Sequence, residues 1–189
     1  RSAIFIPTIL SFVIVGFAWK LILSPIWGIA PTMLGSVGLG FLYQPWLGKE
    51  EYALTTLSLI SVWQFVGIPM MLIYAALLTI PEEILEAGEI DGITGMTAFW
   101  KIKLPLILPS IGIISILTFV GNFNAFDLIY ASQGALAGPD FSTDILGTFF
   151  YRTFFGFQLQ LGDPHMGAAV ASAMFAIILV GVCVYLFGI

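Results

Sequence analysis

Ile80-Pro81-Glu82-Glu83-Ile84-Leu85-Glu86-Ala87-Gly88-Glu89-Ile90-Asp91-Gly92, followed further on by Ile102-Lys103-Leu104-Pro105, decides how this chain is read. The stretch is strongly charged and stranded between two long apolar runs. Pro81 suits the first turn of a helix, where its missing N–H costs nothing. Glu82 and Glu83 follow, and negative charge there opposes the positive end of the helix dipole. Ile84, Leu85, Ala87 and Ile90 supply apolar surface, so a short helix is expected from about Pro81 to Ile90. Gly92 can take a positive φ and turn the chain sharply. A second short helix, about Gly95 to Ile102, should lead through Leu104-Pro105 into the next apolar run. Helix, glycine turn and helix make a compact knuckle over about 80–104.

The rest of the chain is unlike a soluble domain. Its 189 residues are 59% hydrophobic and 9% charged, where soluble domains carry about 25% charged residues. The fold class expected is therefore all-α, a polytopic helical membrane protein. Seventeen Phe and five Trp suit lipid-facing and interfacial positions. A net charge of -5 and the lack of any basic run argue against nucleic acid as a partner. The single cysteine, Cys183, allows no disulfide and no cysteine metal site within the chain. No signal peptide is visible, and the chain reads as a piece of a longer protein.

A bilayer core needs about 20 apolar residues in a helix, and four segments qualify: about Ile4–Leu23, Leu54–Leu78, Leu104–Tyr130 and Met166–Phe187. Gly67 and Pro69 should kink the second. The fourth is built on Gly167, Ala168, Ala169, Ala171, Ser172 and Ala173, small residues that let helices approach closely in lipid. Ser24–Glu51 is rich in Gly, Pro and aromatics and should hold a short interfacial helix. Ser132–His165 should hold another around Phe149–Phe155, with Arg152 peripheral. Positive charge does not orient the chain: Arg1, Lys101 and Lys103 fall on one side, Lys20, Lys49 and Arg152 on the other.

Polar groups inside a bilayer are expensive and tend to face a cavity or the bundle interior. Trp63, Gln64, Asn122, Asn124 and Asp127 stand out, and as a set they suit a neutral polyhydroxylated solute, with amides and a carboxylate for hydroxyls and a ring for the sugar face. The plainer alternative is that the Asn and Gln residues only tie helices together. His165 has no second ligand near it in sequence and reads as a loop residue, so neither a catalytic set nor a metal site is expected.

Taken alone, a charged loop between spans is an ordinary solvated connection. The order of residues says more. Glu86, Ala87, Gly92, Ile102, Leu104 and Pro105 fit the spacing E-A-A-x3-G-x9-I-x-L-P, and the chain resembles the permease subunits of binding-protein-dependent ABC importers. Ile80-Pro81-Glu82-Glu83, Ile90-Asp91-Gly92, Phe99-Trp100-Lys101-Ile102, Gly16-Phe17-Ala18-Trp19 and Asn124–Tyr130 extend the similarity to the sugar and glycerol-phosphate branch. Two positions depart from the pattern. Gly88 replaces the second Ala, which should weaken the first knuckle helix by about 1 kcal/mol, and Ala137 stands where a glycine precedes the G-P pair.

The resemblance implies the maltose-type, type I importer fold, with residues 1–189 a partial permease domain of a six-span subunit. It implies that Glu86, Ala87, Gly88, Asp91 and Gly92 contact an ATP-binding subunit, while Ile102, Leu104 and Pro105 carry force into the following span. The implied partners are two ATP-binding subunits, a second and related permease chain, an extracytoplasmic solute-binding protein and the lipid of a bacterial cytoplasmic membrane. ATP and Mg belong to the partner subunit; no cofactor is expected in this chain, which has no Walker A sequence and is not itself an enzyme. The competing reading is an ion-gradient-driven secondary transporter or channel subunit, which should show inverted repeats and buried ionisable residues.

Overall fold

The computed structural model describes residues 2–123, 125–158 and 160–188. Among these there is no strand, only an isolated bridge between Phe157 and Gln160. The helices are α1 (Ser2–Ile9), α2 (Phe12–Ile22), α3 (Ile29–Ser36), α4 (Glu50–Phe65), α5 (Gly67–Leu78), α6 (Glu82–Ile90), α7 (Gly95–Ala98), α8 (Leu104–Phe123), α9 (Phe126–Gln133), α10 (Leu146–Phe155) and α11 (Pro164–Gly188).

The expected first span is not one helix. Pro7 lies inside α1, and the chain breaks at Leu10–Ser11 before α2 begins. Hydropathy is high on both sides of the break, which is why composition did not reveal it. The expected second span is present and bent by 42° between α4 and α5, where Gly67 and Pro69 lie. Glu50 and Glu51 occupy the first turn of α4, where their charge favours the helix end.

Two stretches, Gly95–Gln133 and Pro164–Phe187, are long and apolar enough to cross a membrane, and the bent pair makes a third. The expected fourth span is Pro164–Phe187, while the expected first is divided between α1 and the 11-residue α2. The expected third span, about Leu104–Tyr130, lies within Gly95–Gln133, to which α8 and α9 both belong.

The core lies where α2, α4 and α9 meet. Val15 and Leu23, Leu57 and Ile60, and Leu128 and Ile129 are buried there together with Ala137. Gly16 makes the crossing of α2 and α9 possible, because a Cβ built on it would stand 3.0 Å from both Ala131 Cβ and the Leu128 carbonyl oxygen. α11 leans on α10 through Gly167, over the Phe154 ring, and on α8 through Gly112, which receives the Tyr185 hydroxyl end. Beyond Gly167 the small residues Ala168, Ala169, Ala171, Ser172 and Ala173 are exposed among the described residues.

Candidate functional site

The knuckle forms much as its residues dictate, with one difference. α6 starts at Glu82, with Pro81 in extended backbone before it. It ends in two hydrogen bonds that wrap the chain around Gly92: the Ile93 N–H donates to the Gly88 carbonyl at 2.8 Å, and the Gly92 N–H to the Glu89 carbonyl at 3.0 Å. This is a Schellman close, which needs a left-handed residue between the two donors' turn and the helix. Gly92 provides it with φ 76°.

The expected second helix is not separate: α7 is one turn, and Phe99–Lys103 continues it as a π-helical turn straight into α8. Such a wider turn is rare and occurs mostly as a single-turn insertion within α-helices. Here it makes the knuckle and the long helix a single element.

Gly88 is the buried contact of α6. A Cβ at this position would collide with Cδ1 of Ile102, so glycine lets the π-helical turn seat directly against α6. This changes the meaning of the departure from the E-A-A pattern, because the missing methyl makes room for Ile102. Gly88→Ala should gain about 1 kcal/mol of helix propensity and lose about 0.5–1.5 kcal/mol by forcing Ile102 off its rotamer. The expected result is a thermal midpoint within about 3 °C of the parent, read by thermal unfolding of the detergent-solubilised full-length protein. A fall of more than about 10 °C would mean that Ile102 cannot give way.

Glu86, Ala87 and Asp91 are exposed on the same knuckle, beside Ile90 at 87% and Met96 at 72% exposure. The result is an exposed surface with acids around large apolar side chains. Ile102 and Leu104 are half-buried, and Pro105 is exposed at the start of α8.

The polar candidates within the apolar segments do not converge on one cavity. Trp63 packs edge-on against Trp19, with ring centroids 5.5 Å apart. Both line a groove of about 470 Å³ with Leu23, Trp46, Tyr52 and Leu59. Gln64 is 1% exposed, and its amide donates to the Leu10 carbonyl at 3.0 Å, while Thr8 Oγ1 donates to the Gln64 carbonyl at 2.8 Å. Gln64 therefore closes the break between α1 and α2; its Oε1 finds no partner among the described residues.

Asn122 lines a second cavity, of about 560 Å³, with Phe123, Asp144, Ile145, Leu146 and Phe149. Asp127 is exposed in the first turn of α9. Asn124 lies outside the described residues.

Arg152 is not peripheral as expected. It is 9% exposed, and its Nη2 pairs with Asp144 Oδ2 at 2.6 Å while Nη1 donates to the Ala135 carbonyl at 3.0 Å. Its guanidinium carbon sits 4.9 Å from the Phe141 ring centroid. Thr148 Oγ1 donates to Asp144 Oδ1 at 2.5 Å. Asp144, Thr148 and Arg152 follow one another at intervals of four, with Thr148 and Arg152 one turn apart on α10 and Asp144 just before its N-cap Ile145. That periodicity was the available sequence signal for this cluster.

The acid-rich knuckle thus lies between apolar segments long enough to cross a membrane. Residues 39–188 match the binding-protein-dependent transport system inner membrane component family, and the chain belongs to it.

It is 32% identical over 182 residues to the multiple sugar-binding transport system permease protein MsmF of Streptococcus mutans, covering 96% of this chain and 59% of that protein. It is 26% identical to the arabinooligosaccharides transport system permease protein AraP of Bacillus subtilis, covering 95% of this chain and 56% of AraP. The chain thus spans little more than half of these relatives. In fold it is similar to a chain of a bacterial ABC transporter involved in the import of the acidic polysaccharide alginate. The TM-score is 0.73 at 22% identity, over 97% of this chain and 61% of that one.

Proposed function

We propose that this chain is part of the permease subunit of an ATP-driven importer, moving a carbohydrate or related polyol across the bacterial cytoplasmic membrane by alternating access. The observation that carries this is the knuckle. α6 is locked to the π-helical turn by the Gly88–Ile102 contact, and that turn runs without a break into α8. A push on Glu86, Ala87 or Asp91 is therefore delivered to the membrane segment through Ile102, Leu104 and Pro105 instead of being absorbed by a loose loop.

In this reading two ATP-binding subunits grip the knuckles of this chain and of a second, related permease chain. ATP and Mg act in those subunits. An extracytoplasmic solute-binding protein delivers the solute at the opposite end; a similar solved transporter was obtained with a pentasaccharide-bound periplasmic protein. The sugar names of the relatives support a carbohydrate, as does a cavity lined by Asn122 together with Phe123 and Phe149. Trp63, Gln64, Asn122, Asn124 and Asp127 are the proposed solute-pathway residues. For Gln64 this requires the α1–α2 break to open, since the side chain is enclosed in this structure.

Cysteine crosslinking tests the reading. In the full-length protein coexpressed with its genomic neighbours, Cys183 is replaced and Ala87→Cys introduced. The expected result is a crosslink to an ATP-binding subunit whose yield changes with ATP. Free labelling of that cysteine in every nucleotide state, with no crosslink, returns the chain to the secondary-transporter reading.

A further inference from the structure

The buried ion pair beside the Asn122 cavity is asymmetric, and the asymmetry assigns its two members different tasks. Asp144 lines the cavity, and its side chain is 21% exposed. Arg152 is not among the cavity's lining residues, and its side chain is 11% exposed. Its hydrogen bonds go inward, to Asp144 Oδ2, to Asp144 Oδ1 at 3.5 Å and to the Ala135 carbonyl. A pair needed only to join two segments has no reason to leave the carboxylate facing space. An ionised carboxylate offers about four acceptor positions, and the close bonds from Arg152 and Thr148 leave capacity on the cavity side.

Asn122, Phe123 and Phe149 line the same cavity. Asn122 lies near the end of the 20-residue α8, about 30 Å from the knuckle at 1.5 Å per residue.

We propose that the Asp144 carboxylate contacts the solute at the end of the pathway opposite the knuckle, accepting hydrogen bonds from the hydroxyls of a neutral sugar, and that Arg152 is its positioning residue. This rests on the carbohydrate-permease reading above. The arginine aims the carboxylate, Asn122 supplies a donor as well as an acceptor, and the phenyl rings meet the C–H face of the sugar. An anionic solute would meet the carboxylate's charge, so the site selects for uncharged polyols.

The test uses the full-length permease with its partner subunits and binding protein in liposomes. Uptake of tritiated maltotriose and raffinose is measured alongside ATP hydrolysis. Asp144→Asn should lower sugar moved per ATP by about tenfold while hydrolysis stays within about twofold, as expected for loss of a charged hydrogen bond. The reversed pair, Asp144→Arg with Arg152→Asp, keeps the ion pair but moves the carboxylate, and should transport no better than Asp144→Asn.

Restored transport in the reversed pair would reduce the cluster to a structural clasp and overturn the assignment, as would an unchanged transport ratio in Asp144→Asn. If Asp144→Asn does not assemble, Asp144→Glu decides. It should change the maltotriose-to-raffinose ratio by at least about threefold, and an unchanged ratio overturns the proposal. A parent complex that hydrolyses ATP but takes up neither sugar sinks the carbohydrate reading itself, and this assignment with it.

Discussion

Gly92→Val is expected to cut solute uptake per ATP by at least about tenfold, a penalty of about 1.4 kcal/mol or more on the coupled step, while leaving the membrane segments folded. Gly92 holds φ 76°. For an ordinary L-residue the left-handed region costs about 1–2 kcal/mol, and a β-branched side chain is a true outlier there. The chain can escape that strain only by giving up the turn. Doing so releases the Ile93 N–H from Gly88 and the Gly92 N–H from Glu89, each bond contributing about 1 kcal/mol.

Nine-residue α6 is too short to persist without such support, since isolated helices below about 12 residues are marginal. The Gly88–Ile102 contact would then separate, and force applied at Glu86 or Asp91 would no longer reach Leu104. Reconstituted vesicles measure this directly, through sugar uptake and ATP hydrolysis recorded together. Gly92→Asn should stay within about threefold of the parent, because asparagine tolerates the left-handed region. Full coupling in Gly92→Val would show that the knuckle does not transmit force.

The knuckle was legible in the sequence because its determinants are local. Pro81, the paired acids and a glycine at the helix exit each act within a turn of themselves. The bend at Gly67 and Pro69 was legible for the same reason. What escaped depends on partners distant in sequence. Leu10 ends one helical piece in a run whose hydropathy stays high, and the Gln64 amide, 54 residues away, binds the carbonyl left at the break. Gly88 read as a weak point by propensity, yet its value lies in the approach of Ile102.

Arg152 read as peripheral because a charge in an aromatic run is usually solvated. Only the i, i+4, i+8 spacing of Asp144, Thr148 and Arg152 hinted at an inward cluster, and Asp144, ahead of α10, and Ala135 complete it from outside that helix. Trp63 and Asn122 were both singled out for polarity or shape. Neither property reveals that one belongs with Trp19 and Trp46 and the other with Asp144.

Gly16→Leu should destabilise the folded protein clearly, through packing and not through coupling. α2 has 11 residues, about half the length needed to cross a bilayer core alone, so its place depends on what it packs against. That neighbour is α9, and the closest approach is at Gly16, where a Cβ would stand 3.0 Å from Ala131 Cβ, 3.0 Å from the Leu128 carbonyl oxygen and 3.5 Å from the Ser132 nitrogen. The carbonyl belongs to a helix backbone, and Ser132 Oγ already donates to it at 2.7 Å, so it cannot rotate aside as a side-chain end would.

Overpacking costs about 1–3 kcal/mol in a well-packed core, and backbone neighbours place this site at the upper end. Separating the helices would also open the cluster of Val15, Leu128 and Ile129. The expected result, read by thermal unfolding of the solubilised full-length protein, is a midpoint lowered by about 5–10 °C and a reduced yield in the membrane. Gly16→Ala, which adds only the first methyl, should fall between parent and Gly16→Leu. Phe17→Leu, at a side chain 57% exposed, should leave the midpoint where it was. A midpoint unchanged by Gly16→Leu would mean that α2 and α9 do not cross this closely, and the seat of the core would then lie elsewhere, between α4 and the connection after α9.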